Sequence, residues 1–299
     1  MKLDQINAVV AIAEHGSLRA AARRLGLPQP ALTRGLRGLE KELGVPLFER
    51  STQGMTLTPV GRLFHQRAIA VAQELRRARD EIAQYSGQGG GSVVAALSML
   101  PLAGMLPSAL PVFRRRFAEV QVKIVEGLFP DIEAQLRNGS VDFYMGAVPR
   151  SLPAPGLAIE ALFDNTRVVV ARKKHPLRAV RSLKALAGAE WATTTIDYDA
   201  RDDLEHLFAQ HALPPPRVVL EVGSSLGLMM GLARTDLLAT VPAQWARMPM
   251  ARAALAVVAL RERLPAPSIV LMTRLGLPLT PAAEHLCDVL RRFAPERAS

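Results

Sequence analysis

Cysteine is almost absent from this chain: Cys287 stands alone among 299 residues. A single thiol excludes an intrachain disulfide framework and any zinc cluster built on cysteine, and it fits a reducing compartment. Aromatic residues are scarce too, at 5% of the chain, but the apolar content as a whole is ample for real cores. No apolar run is long enough to span a membrane, and the N-terminus lacks the basic-then-apolar order of a secretory signal. The expectation is a cytoplasmic protein with no membrane partner. Acidic residues are in deficit: 37 Lys and Arg face 27 Asp and Glu, for a formal net charge of +10. That balance suits a polyanionic partner, although an arginine-rich protein without one would show it as well.

Catalytic signatures are not expected either. We expect no hydrolase elbow of the form Gly-x-Ser-x-Gly and no His-Glu-x-x-His zinc site. The histidines, among them His206 and His211, are scattered over expected helices. Those two lie five apart, not the three or four that put two ligands on one helix face. Asp202-Asp203 reads as the acidic first turn of a helix. Cys287, in an apolar stretch of the last expected helix, reads as a packing residue rather than a nucleophile. The chain is expected to be no enzyme and to need no metal or cofactor. A solute-binding protein for transport is a further class, disfavoured by the missing signal.

What is present is concentrated between Ser17 and Thr58. Ser17 caps a short helix with Leu18, Ala21, Ala22 and Leu25 on one face, and Gly26 ends it. Pro28 and Pro30 flank the next start, Pro30 being tolerated in a first turn. In that second helix Leu32, Leu36, Leu39 and Leu43 form one apolar stripe. Gln29, Thr33, Arg34, Arg37 and Lys41 fall largely off it. Gln and Arg make bidentate bonds to base edges, and Thr serves base or phosphate. Helix, tight turn, helix is a DNA-reading pattern. An earlier helix, with Leu3, Ile6, Val10 and Ala13 facing inward, would pack beneath. Phe48-Glu49-Arg50 and Met55-Thr56-Leu57 around a glycine turn make a β-hairpin wing, with Arg50 placed for a phosphate.

Ser17-Leu18-Arg19-Ala20-Ala21-Ala22, Gln29-Pro30-Ala31-Leu32-Thr33, Leu39-Glu40, Leu43-Gly44, Leu47-Phe48-Glu49-Arg50 and Leu57-Thr58-Pro59-Val60-Gly61 resemble the N-terminal signature of LysR-type transcriptional regulators. Pro28 departs from the pattern, where a small polar residue is usual. The resemblance implies an N-terminal winged helix-turn-helix, a long linker helix and a two-lobed effector domain like that of periplasmic binding proteins. It also implies a homodimer or homotetramer on an interrupted palindrome of double-stranded DNA, with RNA polymerase as a further partner.

After Thr58, a helix from Pro59 to about Tyr85 carries Phe64, Ala68, Val71, Leu75, Ala78, Ile82 and Tyr85 at spacings of four and three. Such a seam needs a partner helix. It is read as the dimerisation face, with Phe64, Val71, Leu75, Ala78 and Ile82 in it, rather than a face packed on the chain's own second domain. Ser86 to Ser92 is glycine-rich and reads as a hinge. Strands then alternate with helices, as in parallel sheets covered on both faces; one strand is expected over Arg167–Ala171. The resulting division is 1–58 for DNA binding, 59–87 for dimerisation, 88–91 as hinge and 92–299 for the effector. Crossings near Leu162-Phe163 and Pro265-Ala266-Pro267 give lobe I about 92–162 and 267–299, and lobe II about 163–266.

Ligands of open α/β folds sit at strand C-termini, beside helix N-termini. Ser98, Met99, Leu100 and Pro101 form such a place in one lobe, and Thr194, Thr195 and Ile196 its counterpart. Phe129, Gly146 and Gly223 are expected at the same cleft. Hydroxyls, helix-end amides and apolar surface suit a small organic anion, though many of these Ser and Thr residues could equally be plain helix caps. Leu106-Pro107-Ser108-Ala109-Leu110, Val141-Asp142-Phe143, Asp236–Pro242 and Leu279-Thr280-Pro281-Ala282-Ala283 are similar to the branch containing the toluenesulfonate-operon regulator, which implies an aromatic acid or sulfonate effector. Arg234-Thr235-Asp236 stands where much of the family has a glycine-rich turn.

Overall fold

The computed structural model describes residues 1–51, 54–87, 89–149, 151, 153, 155–194 and 200–295. They divide into two compact units, Met1–Gly87 together with Arg137–Ser140, and the remaining described residues.

The first unit opens with α1 (Leu3–His15), α2 (Leu18–Leu25) and α3 (Gln29–Leu43). Local chemistry sets their ends. The Ser17 hydroxyl accepts from the Ala20 amide at 3.1 Å, and Gly16, Gly26 and Gly44 close the three helices in the left-handed conformation. Pro28 caps α3 without a side-chain bond. Val9, Ile12, Ala21, Leu32, Leu36, Leu39 and Leu47 make the core. Two expectations change here. The inward face of α1 is Ile6, Val9 and Ile12 with Ala8 and Ala11, whereas Leu3, Val10 and Ala13 lie at its margin. Leu43 is exposed, because the last turn of α3 overhangs the core.

The wing is an antiparallel pair, β1 (Phe48–Ser51) and β2 (Gly54–Leu57), in register Phe48 with Leu57. Thr52 and Gln53 of its turn lie outside the described residues. The Glu40 carboxylate accepts from the amides of Leu47 at 2.8 Å and Phe48 at 3.3 Å, which ties the wing to α3. Then α4 (Pro59–Tyr85) begins under a Thr58 cap, whose hydroxyl accepts from Gly61 at 2.8 Å. A Cβ at Gly61 would collide with the Leu47 carbonyl. Gly61→Ala is therefore expected to destabilise this unit by about 1–3 kcal/mol, the usual scale of overpacking. Thermal denaturation checks it, and a wild-type midpoint would mean the turn yields freely.

The second unit contains β3 (Ser92–Leu97), α5 (Leu106–Arg116), β4 (Gln121–Glu126), α6 (Glu133–Asn138) up to Leu136, β5 (Phe143–Ala147), β6 (Leu157–Arg172), β7 (Glu190–Thr194), α7 (Ala200–Gln210), β8 (Arg217–Val222), α8 (Ser225–Arg234), β9 (Ala239–Pro242), α9 (Ala243–Ala246), α10 (Pro249–Ala254), β10 (Leu255–Val258), β11 (Leu264–Arg274) and α11 (Pro281–Arg292). A π-helical turn over Pro101–Met105 leads into α5. The main sheet runs β10-β6-β11-β5-β3-β4, with β9 also on β6.

Burial on both faces explains the apolar runs. Val93, Ala95 and Leu97 of β3 pack with α5 and α11 residues such as Phe113 and Leu286, while Ala96 joins Leu136 and Tyr144 on the other face. In the second lobe Val169 and Ala171 face Trp191, Leu204 and Phe208, and Val170 faces Leu228, Leu232 and Trp245.

The expectation of purely parallel sheets is corrected. β3 is parallel to β4 and β5, but β11 is antiparallel to β5 and β6. The chain leaves the first lobe along β6 and returns along β11 beside it, so the returning strand runs the opposite way. For the same reason the strand expected over Arg167–Ala171 is much longer and starts at Leu157. It pairs with β11 up to Arg167, then with β9 and β10 in the second lobe. Helices α9 and α10 were not foreseen; both are short, α9 following Pro242 and α10 beginning at Pro249.

Candidate functional site

Two places carry the expected chemistry. The first is the outer face of α3. Its apolar stripe is used up inside the unit, which leaves Gln29, Pro30, Arg34 and Arg37 exposed. Arg34 and Arg37 make no ion pair among the described residues, so both guanidinium groups are available to a partner. Thr33 is half-buried and its hydroxyl donates to the Gln29 carbonyl at 2.9 Å; it retains acceptor capacity but its proton is engaged. Arg50 is exposed on the wing. On α4 a row of apolar side chains lies uncovered: Val71 43%, Leu75 40% and Ile82 69% exposed, with Ala78 between them. Phe64, the first of that set, is instead half-buried against the core of the winged module.

The second place is the cleft between the lobes of the second unit. It is a cavity of about 40 Å³ reached by Ser98, Met99 and Leu100 from one lobe and by Thr194, Ser225 and Pro242 from the other. Roughly three water-sized groups fit such a space. Ser98 directly follows β3, and its carbonyl accepts from Leu102 at 3.0 Å, which starts the turn of Pro101–Met105. Ser98 and Thr194 are both buried.

The other expected residues are placed differently. Pro101 is buried in the π-helical turn. Phe129 packs edge-on to Tyr144, centroids 5.1 Å apart, and Leu128 lines the cleft beside it. Gly146 lies beneath Tyr144 and Ser98, and its neighbour Ala147 reaches the cavity. Gly223 is an exposed residue before α8. Thr195 and Ile196 lie outside the described residues.

Sequence reasoning missed the floor of this cleft, Asn165 and Arg167 on β6 with Pro267 and Ile269 on β11. The Arg167 guanidinium pairs with Asp203 at 2.9 Å and also borders a second crevice of about 290 Å³ lined by His206, Gln210 and Thr240. Two polar residues with the same facing, at the start of the apolar run Val168-Val169-Val170-Ala171, were the available signal.

The hydrolase elbow needs correction. Its spelling does occur, as Gly223-Ser224-Ser225-Leu226-Gly227, between β8 and α8. Here Ser224 is the cap of α8, accepting from Gly227 at 2.9 Å. The Ser225 hydroxyl donates to the Glu126 carboxylate at 2.8 Å. Among the described residues no histidine lines either cavity that Ser225 borders, so the histidine base of a serine hydrolase has no counterpart beside it. Cys287 is buried in the first-lobe core, and burial pushes its thiol well above the ordinary value, which leaves it inert. No cluster of potential metal ligands occurs among the described residues, and none of their helices is long and apolar enough to cross a membrane.

Comparison with known proteins matches both parts of the chain. Residues 3–62 match the bacterial regulatory helix-turn-helix protein, lysR family, and residues 86–295 match the LysR substrate binding domain. The HTH-type transcriptional regulator GalR of Pseudomonas putida is 32% identical over 296 residues, spanning 98% of this chain and 74% of that protein. GbpR of Azospirillum brasilense is 28% identical, spanning 79% of this chain and 70% of the relative. Among solved structures, the LysR family regulator CbnR superposes with a TM-score of 0.71 at 22% identity, over 99% of this chain and 100% of that one. Full-length OxyR C199D from Pseudomonas aeruginosa gives 0.73 at 24% identity, over 100% and 99%.

Proposed function

The chain belongs to the LysR family of bacterial helix-turn-helix regulators, and from that premise we propose how its residues divide the work. It is a DNA-binding transcriptional regulator with a substrate-binding domain, and its family is not enzymatic. In our reading Gln29 and Arg34 meet base edges in the major groove, with Pro30 and the Thr33 methyl against the groove wall. Arg37 and Arg50 hold phosphates. The exposed row on α4 closes a homodimer, and paired dimers bind an interrupted palindrome in the cytoplasm and engage RNA polymerase. The effector is a small organic anion, an aromatic acid or sulfonate, held by Ser98 and Thr194 with Met99, Leu100 and Arg167. Because the cavity is small, the lobes open to admit it. An effector that binds one arrangement more tightly shifts the population of assemblies.

One observation carries the DNA part: α3 buries Leu32, Leu36 and Leu39 and leaves the Arg34 guanidinium exposed with no ion pair among the described residues. Arg34→Ala should lose about 1–3 kcal/mol on a site recovered by in vitro selection, and little on random DNA. Fluorescence anisotropy at fixed salt measures both. Equal losses on the two would assign Arg34 to phosphate, and no loss would remove it from the interface.

A further inference from the structure

We propose, resting on the reading of the cleft as the effector site, that the Asn165 carboxamide reads a hydroxyl group of the effector. The ligand class is then a small hydroxylated organic acid rather than a plain carboxylate or sulfonate. Asn165 stands on β6 where the chain passes from one lobe to the other, paired with Ala266 of β11. Its side chain lines the cleft and is only 9% exposed. Its Oδ1 has no hydrogen-bond partner among the described residues. A buried polar atom left unpaired is costly and rare, and nothing local requires a polar residue here: Phe163, Val169 and Val170 on the same strand are apolar and buried.

The oxygen only accepts, so its partner must donate. With the carboxamide oriented as it stands, a carboxylate or sulfonate cannot donate to this oxygen and would be repelled. Arg167 lies two residues further along β6 and therefore shares the facing of Asn165; it lines the same cleft. Arg167 is already paired with Asp203 at 2.9 Å, and among the donors that a small organic acid carries we assign the one facing Asn165 to a hydroxyl. The cleft floor thus offers an acceptor next to a cationic donor, with the Ser98 and Thr194 hydroxyls among the walls. A hydroxyl next to an acid group matches that order of donor and acceptor.

The test uses the full chain and matched probes: salicylate and benzoate, lactate and propionate, malate and succinate. Thermal shift finds binders and calorimetry measures them, in wild type, Asn165→Leu, Asn165→Ala and the cleft-filling Leu128→Trp. We expect wild type to bind a hydroxylated member about tenfold more tightly than its partner, the scale of one hydrogen bond. Both Asn165 variants should erase that ratio by weakening the hydroxylated member alone. A ratio that survives in both variants overturns the proposal, as does failure of both to fold, which would make the carboxamide structural. If the binders lack hydroxyls yet vanish in Leu128→Trp, the hydroxyl assignment falls while the cleft stands as the effector site. If no probe binds in a cleft-dependent way, both readings fall.

Discussion

Leu75→Glu is expected, on the proposed reading of α4 as a dimer face, to leave a chain that sediments as a monomer and binds a DNA site selected by the wild type more weakly by about two to four orders of magnitude, the scale of avidity lost when two linked sites separate. The reasoning starts from α4, a helix of 27 residues. Val71, Leu75, Ala78 and Ile82 follow one another at spacings of four, three and four, and all four are exposed. Isolated apolar side chains on a surface need no explanation, but a straight row of them along one helix face marks an interaction seam. A glutamate in that row must either keep its charge out of water or force the helices apart. Gln66→Glu, on the opposite face and exposed, serves as the control that leaves both properties intact. Sedimentation equilibrium and anisotropy on the same samples decide it. A Leu75→Glu protein as oligomeric as wild type would place the dimer contact elsewhere.

Features set by neighbouring residues were legible in the sequence. The Ser17 and Thr58 caps each bond the amide three residues on, at 3.1 and 2.8 Å, and the residues that make them are close in the chain. Helix α3 was legible because three of its four stripe leucines do pack inward. Features set by distant pairing were not. Nothing local to Leu157 tells it that Arg274 lies opposite, so the strand was begun too late and the sheet was assigned one direction only.

The cleft shows the same division. Ser98 and Thr194 were found because strand ends beside helix starts can be read from alternation. Asn165 was not, because Asp164-Asn165-Thr166 looks like a loop between lobes until β11 pairs with it. Phe129 and Leu128 exchange roles for a reason visible only in three dimensions: the Phe129 ring is taken by Tyr144 in the first-lobe core. The elbow spelling at Gly223 marks the opposite error. Motif, strand and helix are all in place there, and what speaks against a hydrolase is three-dimensional: Ser224 caps α8 and no histidine lines the cavities beside Ser225 among the described residues.

Gly146→Val is expected to lower stability by about 3 kcal/mol or more, the upper range of overpacking, and to abolish effector binding with it. A Cβ at position 146 would collide with the Tyr144 hydroxyl, lie 2.5 Å from Tyr144 Cζ and lie 2.8 Å from Ser98 Cβ. None of these atoms can retreat cheaply. Tyr144 is fully buried, and its hydroxyl donates to the Ala147 carbonyl at 2.9 Å. Ser98 is pinned by its own amide, which donates to Met145 at 3.0 Å. The strain therefore falls on the junction of β3 and β5, where Ser98 and Ala147 reach the cleft, so fold and ligand site fail together. Because the clash is shared, it can be tested by coupling: neighbours in contact are not additive. Gly146→Ala placed in a Tyr144→Leu background should cost less than Gly146→Ala alone, since the hydroxyl and Cζ are gone. Thermal and urea denaturation of the four proteins gives the cycle, and strict additivity would show that the ring is not what holds position 146 to glycine.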